Sequence, residues 1–215
     1  MIAISGIPGS GKTTLASTVV SRLNSLQQLE ASSSQDPIAT FVPMDGYHLT
    51  RAQLSALSDP ATAHARRGAA FTFDGVSFLA LVRKLRQAPP TTLSAPSFDH
   101  ATKDPIANEI IIPASARILI FEGNYLSLNR DPWKQAADLM DELWFVEVDF
   151  EVARARLVKR HVKAGIAIDE RDAHKRVTDN DLVNGTEIVE NRMAVQQIIQ
   201  SKEDIAWEPE SFIQP

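Results

Sequence analysis

Apolar and polar positions alternate along the chain in blocks that predict strands and helices in turn. Apolar residues recur at helical spacing over 12–29, which predicts an amphipathic helix with one buried stripe. Short apolar runs over 1–4 and 39–44 predict strands on either side, and a polar connector, Ala31–Pro37, precedes the second strand. A strand, a helix and a strand in this order form a βαβ unit, so we expect a parallel sheet and an α/β fold.

The same pattern predicts further elements as far as residue 200. Strands are predicted over 91–98, 109–112, 117–122 and 143–149, with 109–112 as an edge strand or one arm of a hairpin. Helices are predicted over 76–86, over 151–164, from Asp169 onward and near 194–200. Residues 180–185 are predicted to form a turn, because Asn, Asp and Gly cluster there.

Length and composition limit the classes of function that the chain can have. With 215 residues, 44% of them hydrophobic, it is long enough for one domain with a substantial core. A net charge of −5 argues against broad nucleic-acid binding, and the absence of cysteine excludes disulfides and a cysteine nucleophile. No apolar run approaches the ~20 residues of a membrane span, and the N-terminus lacks the pattern of a secretory signal. We therefore expect a cytoplasmic protein without a membrane or nucleic-acid partner, either a monomer or a homodimer.

The first strand leads into a glycine-rich segment, Gly6-Ile-Pro-Gly-Ser-Gly-Lys-Thr13, which fits the phosphate-loop pattern GxxxxGK[ST]. Its glycines let backbone N–H groups turn toward a polyphosphate, and the helix that follows presents its positive N-terminal end to the same anion. We expect Lys12 to reach the β- and γ-phosphates and the Thr13 hydroxyl to hold Mg²⁺. The predicted nucleotide-binding residues here are Gly6, Gly9, Ser10, Gly11, Lys12, Thr13 and Thr14. No guanine-specific Asn-Lys-x-Asp tetrad occurs, so the sequence favours ATP.

Two carboxylates follow predicted strands, and both are candidates for the chemistry of phosphoryl transfer. Asp45 follows the strand at 39–44, and Glu122 ends the strand at 117–122. In an open α/β sheet, ligands bind at the carboxyl ends of the strands, so both side chains should face the phosphates. Such a site needs one group to accept a hydroxyl proton and one to position Mg²⁺. The alternatives are that Asp45 caps a turn and that Glu122 pairs with a lysine.

The predicted helix over 151–164 is strongly basic within an acidic protein. Arg156, Arg160 and Lys163 lie at positions i, i+4 and i+7 and therefore share one face. This face is either solvated or forms a clamp over phosphate, since the arginine fork suits phosphate oxygens. Gly165 ends the helix and is a candidate hinge.

Five further segments of the chain carry recognisable motifs. They are Met44-Asp-Gly-Tyr-His-Leu49, Arg67-Gly-Ala-Ala-Phe-Thr-Phe-Asp74, Ala95-Pro-Ser-Phe-Asp99, Phe121-Glu-Gly-Asn-Tyr-Leu126 and Asn180-Asp-Leu-Val-Asn-Gly185. Together with the phosphate loop, they resemble P-loop small-molecule kinases of the phosphoribulokinase, uridine kinase and pantothenate kinase group. The resemblance extends from Ile2 to about Arg192 and is nearest to a uridine-kinase-like subgroup.

The resemblance implies a P-loop NTPase fold, three-layer α/β/α, with a mainly parallel sheet of about five strands and a helical lid. It implies a single kinase domain over 1–215, with the lid at about 151–178 and an acceptor-site insertion at about 49–115. The donor would be ATP with Mg²⁺, and the acceptor a small metabolite with a hydroxyl group, either a nucleoside or a related pantothenate- or sugar-type molecule. The chain begins on its first strand, whereas relatives usually carry residues ahead of it.

The resemblance also implies roles for individual residues. Asp45 matches the proposed base, and Glu122 matches the acidic residue near the metal. The lid would bring Arg160 and Arg156 to the transferring phosphoryl group. The remaining implied contacts are His48, Arg67 and Asp99 in the acceptor pocket and Arg192 on adenine. From the residues alone, His48 is equally a turn histidine and Asp99 a loop cap.

A second class of function stays open at this point. A P-loop ATPase could act as a nucleotide-switched regulatory or chaperone module, with no small-molecule acceptor. An acceptor pocket beside the phosphates favours the kinase, because a switch has no need of one.

Overall fold

The computed structural model describes residues 1–30, 36–87 and 90–203, and its centre is a five-stranded parallel sheet. The strand order is β2-β5-β1-β6-β7. The strands are β1 (Ile2–Gly6), β2 (Ala39–Pro43), β5 (Ile118–Glu122), β6 (Glu142–Glu147) and β7 (Gln197–Gln200). Two further strands, β3 (Leu93–Asp99) and β4 (Asp104–Ile112), pair with each other as an antiparallel hairpin. The expectation of an arm of a hairpin at 109–112 is thereby confirmed.

Eight α-helices occur within the described residues, and none of them is long and apolar enough to cross a membrane. They are α1 (Lys12–Glu30), α2 (Arg51–Ser55), α3 (Pro60–Ala65), α4 (Gly75–Leu85), α5 (Trp133–Ala137), α6 (Phe150–Lys163), α7 (Glu170–Arg176) and α8 (Leu182–Glu190). A 3₁₀ turn over Met44–Tyr47 follows β2, and a π-helical segment over Val177–Asp181 joins α7 to α8.

Helices cover both faces of the sheet and make a three-layer α/β/α fold. On one face, Ala16 of α1 packs with Ile4 and Val146 of the sheet. On the other face, the sheet residues Ala3 and Phe121 belong to the main core, together with residues of α4, α5 and α8. Parallel strands that are buried on both faces are near-continuously apolar, which is why short apolar runs located them in the sequence. The predicted fold class is confirmed.

Strand register brings the two candidate carboxylates to one edge of the sheet. Glu122 pairs with Ile4 of β1 and with Pro43 of β2, so β2 and β5 end at the same level and β1 continues two residues further, to Gly6. Asp45 lies two residues beyond Pro43, at the start of the 3₁₀ turn. The phosphate loop leaves β1 at the same edge, after Gly6.

Two predictions for the C-terminal part are wrong. Residues 180–185 form helix rather than a turn, because Asn180, Asn184 and Ile188 recur every four residues and are all buried. Residues 194–200 include a strand rather than a helix, because Gln197–Gln200 pairs in parallel with β6 and satisfies its open edge. Most of the predicted connector Ala31–Pro37 lies outside the described residues.

The β3–β4 hairpin packs directly against the turn that carries Asp45. A Cβ atom at Gly46 would lie 2.0 Å from the backbone oxygen of Pro96, a distance that side-chain contacts never reach. Glycine at this position is therefore what allows the hairpin to stand beside the turn.

Gly46→Ala should lower the free energy of unfolding by about 1–3 kcal/mol, because the hairpin backbone must move away. Urea unfolding followed by circular dichroism measures this loss. Gly165→Ala is the control, because Gly165 has a φ of 63° and no neighbouring atom within 4 Å of its added methyl group. That variant reports backbone strain of roughly 1–2 kcal/mol without a clash. An unchanged unfolding curve for Gly46→Ala would contradict the packing described.

Candidate active site

The phosphate loop has the backbone conformation that an anion site requires. Gly9 and Gly11 adopt φ values of 79° and 88°, in the left-handed region that favours glycine. Helix α1 begins directly after them at Lys12, so its free N–H groups point into the same loop. The buried hydroxyl of Ser10 has no hydrogen-bond partner among the described residues. A phosphate oxygen is the kind of group that would complete this set of donors.

A buried ion pair lies beneath this loop. Lys12 Nζ lies 3.8 Å from Glu122 Oε1, and both side chains are about nine-tenths buried. Burial lowers the pKa of Lys12, an effect that the charge of Glu122 opposes. Burial raises the pKa of Glu122 to about 7, against the lowering effect of Lys12. The two charges are therefore costly to hold without a further ligand.

Asp45 is exposed beside the pair. Its backbone oxygen accepts hydrogen bonds from the backbone N–H of His48 at 3.1 Å and from Nδ1 of the same residue at 2.9 Å. The turn is thus closed by the carbonyl of Asp45, and its carboxylate has no hydrogen-bond partner among the described residues. Its charge raises the pKa of both Lys12 and Glu122, less than burial shifts either. This geometry leaves the carboxylate available to a ligand.

A column of rings stands next to Asp45. The ring of His48 lies between Phe73 at 4.0 Å and Phe98 at 4.9 Å, measured between centroids. Because a carbonyl oxygen can only accept, the bond to Asp45 assigns the proton of the neutral ring to Nδ1. Burial lowers the pKa of His48. Three contacts hold the histidine in place, as the turn-histidine alternative requires. Its ring also forms, with Phe73 and Phe98, a surface next to Asp45 that we call the wall.

Arg67 extends this wall. Its guanidinium lies 5.6 Å from the ring centroid of Phe98 and donates to the backbone oxygen of Leu49 at 3.0 Å. It also forms an ion pair with Asp104 at 3.3 Å. Asp104 was not predicted from the sequence, because it lies beyond Ala95–Asp99, the segment that resembles the family.

Asp99 is used within its own turn. One carboxyl oxygen accepts from the backbone N–H of Ala101 and the other from the hydroxyl of Thr102, each at 2.8 Å. The structure thus favours the loop-cap alternative for Asp99.

The two lid arginines have different surroundings. Arg156 donates from Nη1 to the backbone oxygen of Gly9 at 3.2 Å and to the hydroxyl of Ser201 at 2.9 Å. Arg160 is exposed one turn later. Burial chiefly sets the pKa values of Lys12 and Glu122, and the charge of Arg160 lowers both: it adds to the effect of burial at Lys12 and opposes it at Glu122. Arg160 is therefore close enough for its charge to act on the ion pair, whereas Arg156 fastens the phosphate loop to the segment after β7.

Arg192, which is expected at adenine, packs against β6. Its guanidinium packs over the ring of Phe145 at 4.8 Å, and its backbone bridges to Leu128. The residue that approaches the phosphate loop from the C-terminal segment is Ser201, whose hydroxyl would lie 3.6 Å from a Cβ at Gly11. No sequence pattern indicated Ser201, because its position depends on β7 pairing with β6.

The oxygen donors at this edge suit Mg²⁺. No cluster of three or more His, Cys, Asp or Glu residues occurs in the described ranges. Mg²⁺ typically uses one or two protein oxygens together with substrate phosphates. The exposed Thr13 at the start of α1 and the carboxylate of Glu122 provide that smaller set.

Comparison with known proteins places this geometry in a family. The family model described as Phosphoribulokinase / Uridine kinase family matches residues 1–179. The chain is 57% identical over 159 residues to the ATP-dependent kinase-like protein notR' of Aspergillus versicolor, covering 73% of this chain and 92% of that protein. It is 40% identical over 199 residues to a Schizosaccharomyces pombe protein named "putative uridine kinase", covering 93% of this chain and 81% of that protein.

A solved structure agrees with the sequence relatives. The crystal structure of a "putative fructose transport system kinase" from Silicibacter sp. TM1040 superposes with a TM-score of 0.79 at 32% identity, covering 92% of this chain and 87% of that chain. The phosphate loop, the strand-end carboxylates, the sequence relatives and this structural neighbour all indicate the same class of protein, the P-loop kinases. The chain belongs to the phosphoribulokinase / uridine kinase family of P-loop kinases.

Proposed function

We propose that this kinase transfers the γ-phosphoryl group of ATP, bound with Mg²⁺, to a hydroxyl group of a small metabolite. The observation that carries the proposal is the exposed carboxylate of Asp45, which lies beside the buried Lys12–Glu122 pair and next to the wall of His48 and Arg67. A nucleotide switch needs the phosphate loop, but it has no use for a free carboxylate facing a second walled site.

In this mechanism Asp45 accepts the proton of the acceptor hydroxyl. The hydroxyl oxygen forms a bond to the γ-phosphorus while the bond from that phosphorus to the bridging oxygen of ADP breaks. Lys12 stabilises the charge on the β- and γ-phosphate oxygens. Arg160 approaches the same charge from the lid, over about 151–178. Arg156 keeps the loop in place through Gly9 and so acts indirectly on the same phosphates.

Thr13 and Glu122 are the residues that would hold Mg²⁺. When bound, the ion neutralises phosphate charge and orients the β- and γ-phosphates. The hydrogen-bonding capacity of Ser10 and the Gly9–Gly11 backbone then remains for the phosphate oxygens.

The acceptor we favour is a nucleoside, with sugar- and pantothenate-type molecules as the related classes. Two observations support a polar, hydroxyl-rich acceptor: the relative named for uridine kinase and the structural neighbour named for fructose transport. The half-buried guanidinium of Arg67 and the neutral His48 provide polar groups beside aromatic rings, as a ring-bearing acceptor requires. We place the enzyme in the cytoplasm as a monomer or homodimer.

The decisive experiment measures ADP formation from Mg²⁺-ATP with nucleosides, sugars, sugar phosphates and pantothenate as acceptors. We expect one of them to raise turnover well above the rate with water. Asp45→Asn should reduce the stimulated rate by about 10²–10⁴-fold, because the base is lost while the nucleotide site remains. Stimulation by a protein partner alone would instead support the ATPase-switch alternative. A stimulated rate that survives in Asp45→Asn would exclude Asp45 as the base.

Arg160→Gln should lower kcat by roughly 10³-fold with little change in the KM for ATP, because the lost charge acts on the transition state. The matched control is Arg154→Gln on the same helix, whose guanidinium pairs with Glu151 and donates to Thr178. Steady-state kinetics with saturating acceptor compare the two. Equal losses in both variants would show a general effect of helix charge and contradict the assignment.

The raised pKa of Glu122 predicts how the stability of the nucleotide-free protein depends on pH. Between its ordinary value of 4.5 and about 7, the folded state holds a proton that the unfolded chain releases, so stability falls as pH rises through this window. Glu122→Gln cannot release that proton. The stability of wild type relative to this variant should therefore drop by roughly 1–3 kcal/mol between pH 5 and pH 8. Urea unfolding without Mg²⁺ or nucleotide measures the difference, and a constant difference across this range would refute it.

A further inference from the structure

A chain of buried amide side chains joins the segment after the lid to the turn that carries Arg67. Asn180 donates from Nδ2 to the backbone oxygen of Arg67 at 3.0 Å. Asn184 donates from Nδ2 to Oδ1 of Asn180 at 3.4 Å, and Arg66 donates from Nη2 to Oδ1 of Asn184 at 2.6 Å. We call these three side chains, Arg66, Asn180 and Asn184, the asparagine bridge.

The bridge is buried, so its polar groups need hydrogen-bond partners within the protein. Asn180 and Asn184 are only 3% and 1% exposed, so a hydrogen bond lost here leaves an unpaired polar group without water. The turn it holds is fixed from a second side, where the hydroxyl of Tyr125 donates to the backbone oxygen of Gly68 at 2.8 Å. Gly68 has a φ of 105°, a conformation that other residues rarely adopt. The turn thus has one arrangement while the bridge is intact.

The helical segment that carries the bridge also contacts the lid. His161 of α6 shares a 2.8 Å hydrogen bond between Nε2 and Oδ2 of Asp181. Val177 packs in a small core with Leu157 of α6 and Ala173 of α7. A displacement of α6 is therefore transmitted to the residues on either side of Asn180.

The same segment touches the phosphate loop. A Cβ at Gly185 would lie 3.4 Å from Cβ of Ile7, which follows β1, and 3.3 Å from the ring of Phe150 at the start of α6. Residues 177–185 thus contact the donor loop, the lid and the Arg67 turn. Their first part is π-helical, a geometry that is rare and often found at functional sites.

We propose that Asn180, Asn184 and Arg66 are positioning residues that set the Arg67 turn from the base of the lid. Nucleotide that draws Arg160 inward fixes α6, and α6 fixes the π-helical segment through Asp181 and Val177. The bridge then holds Arg67 in place for the acceptor. This inference rests on the proposed function, because it assumes that nucleotide binds at the phosphate loop and that Arg67 faces the acceptor.

Hydrogen–deuterium exchange of the full chain tests the proposal without an acceptor, with Mg²⁺ and the non-hydrolysable analogue AMP-PNP as the probe. The reporting amides are those of Gly68, Ala69 and Thr72, which donate within the turn. In wild type we expect the probe to slow their exchange by about tenfold, alongside protection of the phosphate loop and α6. In Asn180→Ala, the loop and α6 should keep their protection while the effect on the turn falls to about twofold or less.

Arg66→Gln is the second variant, because Arg66 is half-buried and its loss costs less folding stability than that of Asn180. It should weaken protection of the turn in the same direction. Arg130→Gln is the matched control, since it breaks an ion pair to Glu187 on α8 without touching the bridge. That control should respond to the probe as wild type does.

Three outcomes would overturn the inference: a wild-type turn that the probe does not protect, protection that persists in both bridge variants, or the same loss in Arg130→Gln. If Asn180 had a purely structural role, Asn180→Ala would lower the unfolding midpoint but leave the response to the probe unchanged. That result would also overturn the inference. If AMP-PNP does not bind at all, the proposed nucleotide site fails together with the inference. If it binds and protects the turn through the bridge but no acceptor is found in the screen, the positioning of the turn by the bridge stands, while its purpose for an acceptor fails together with the proposed function.

Discussion

The buried pair of Lys12 and Glu122 is the interaction on which the rest of the site depends. A lysine and a glutamate removed from water cost several kcal/mol each, and their mutual attraction at 3.8 Å recovers only part of that cost. The fold accepts this because β1 and β5 are in register at Ile4 and Glu122, which leaves the carboxylate directly under the loop. In the free protein, the attraction within the pair does not offset the cost of burying the two charges. A ligand with negative oxygens and a divalent cation would supply the missing partners.

Around this pair, the phosphate-loop side and the side that we propose for the acceptor are built in different ways. The donor side is backbone: glycines in left-handed conformations and the N-terminus of α1. The side proposed for the acceptor depends on packing: the ring of His48 lies tilted between two phenylalanines, and Arg67 rests on one of them. Backbone geometry is specified by a short motif, whereas the wall of His48, Phe73, Phe98 and Arg67 is assembled from three separate segments.

Side chains of the same chemical type have different surroundings in the structure. Arg156 and Arg160 lie on one helix face, yet Arg156 donates to Gly9 and Ser201 while Arg160 is exposed. Asp45 follows β2 and Asp99 is the last residue of β3, yet the carboxylate of Asp45 has no hydrogen-bond partner among the described residues, whereas that of Asp99 closes its own hairpin turn. In each case the hydrogen-bond partners, rather than the residue type, distinguish a group available to a ligand from a group that stabilises the fold.

Local spacing in the sequence is enough to predict the phosphate loop, the α/β class and the two strand-end carboxylates, because each depends on short motifs and on the rule that the carboxyl ends of parallel strands lie together. Local spacing does not predict the structure of residues 177–200. Asn, Asp and Gly there suggest a turn in isolation, but buried partners at Arg67 and the packing of Gly185 on Ile7 make them helical. The strand β7 likewise forms only because β6 offers an open edge. Ser201 and the asparagine bridge therefore became visible through tertiary contacts between residues more than a hundred positions apart, such as Gly11 with Ser201 and Asn180 with Arg67.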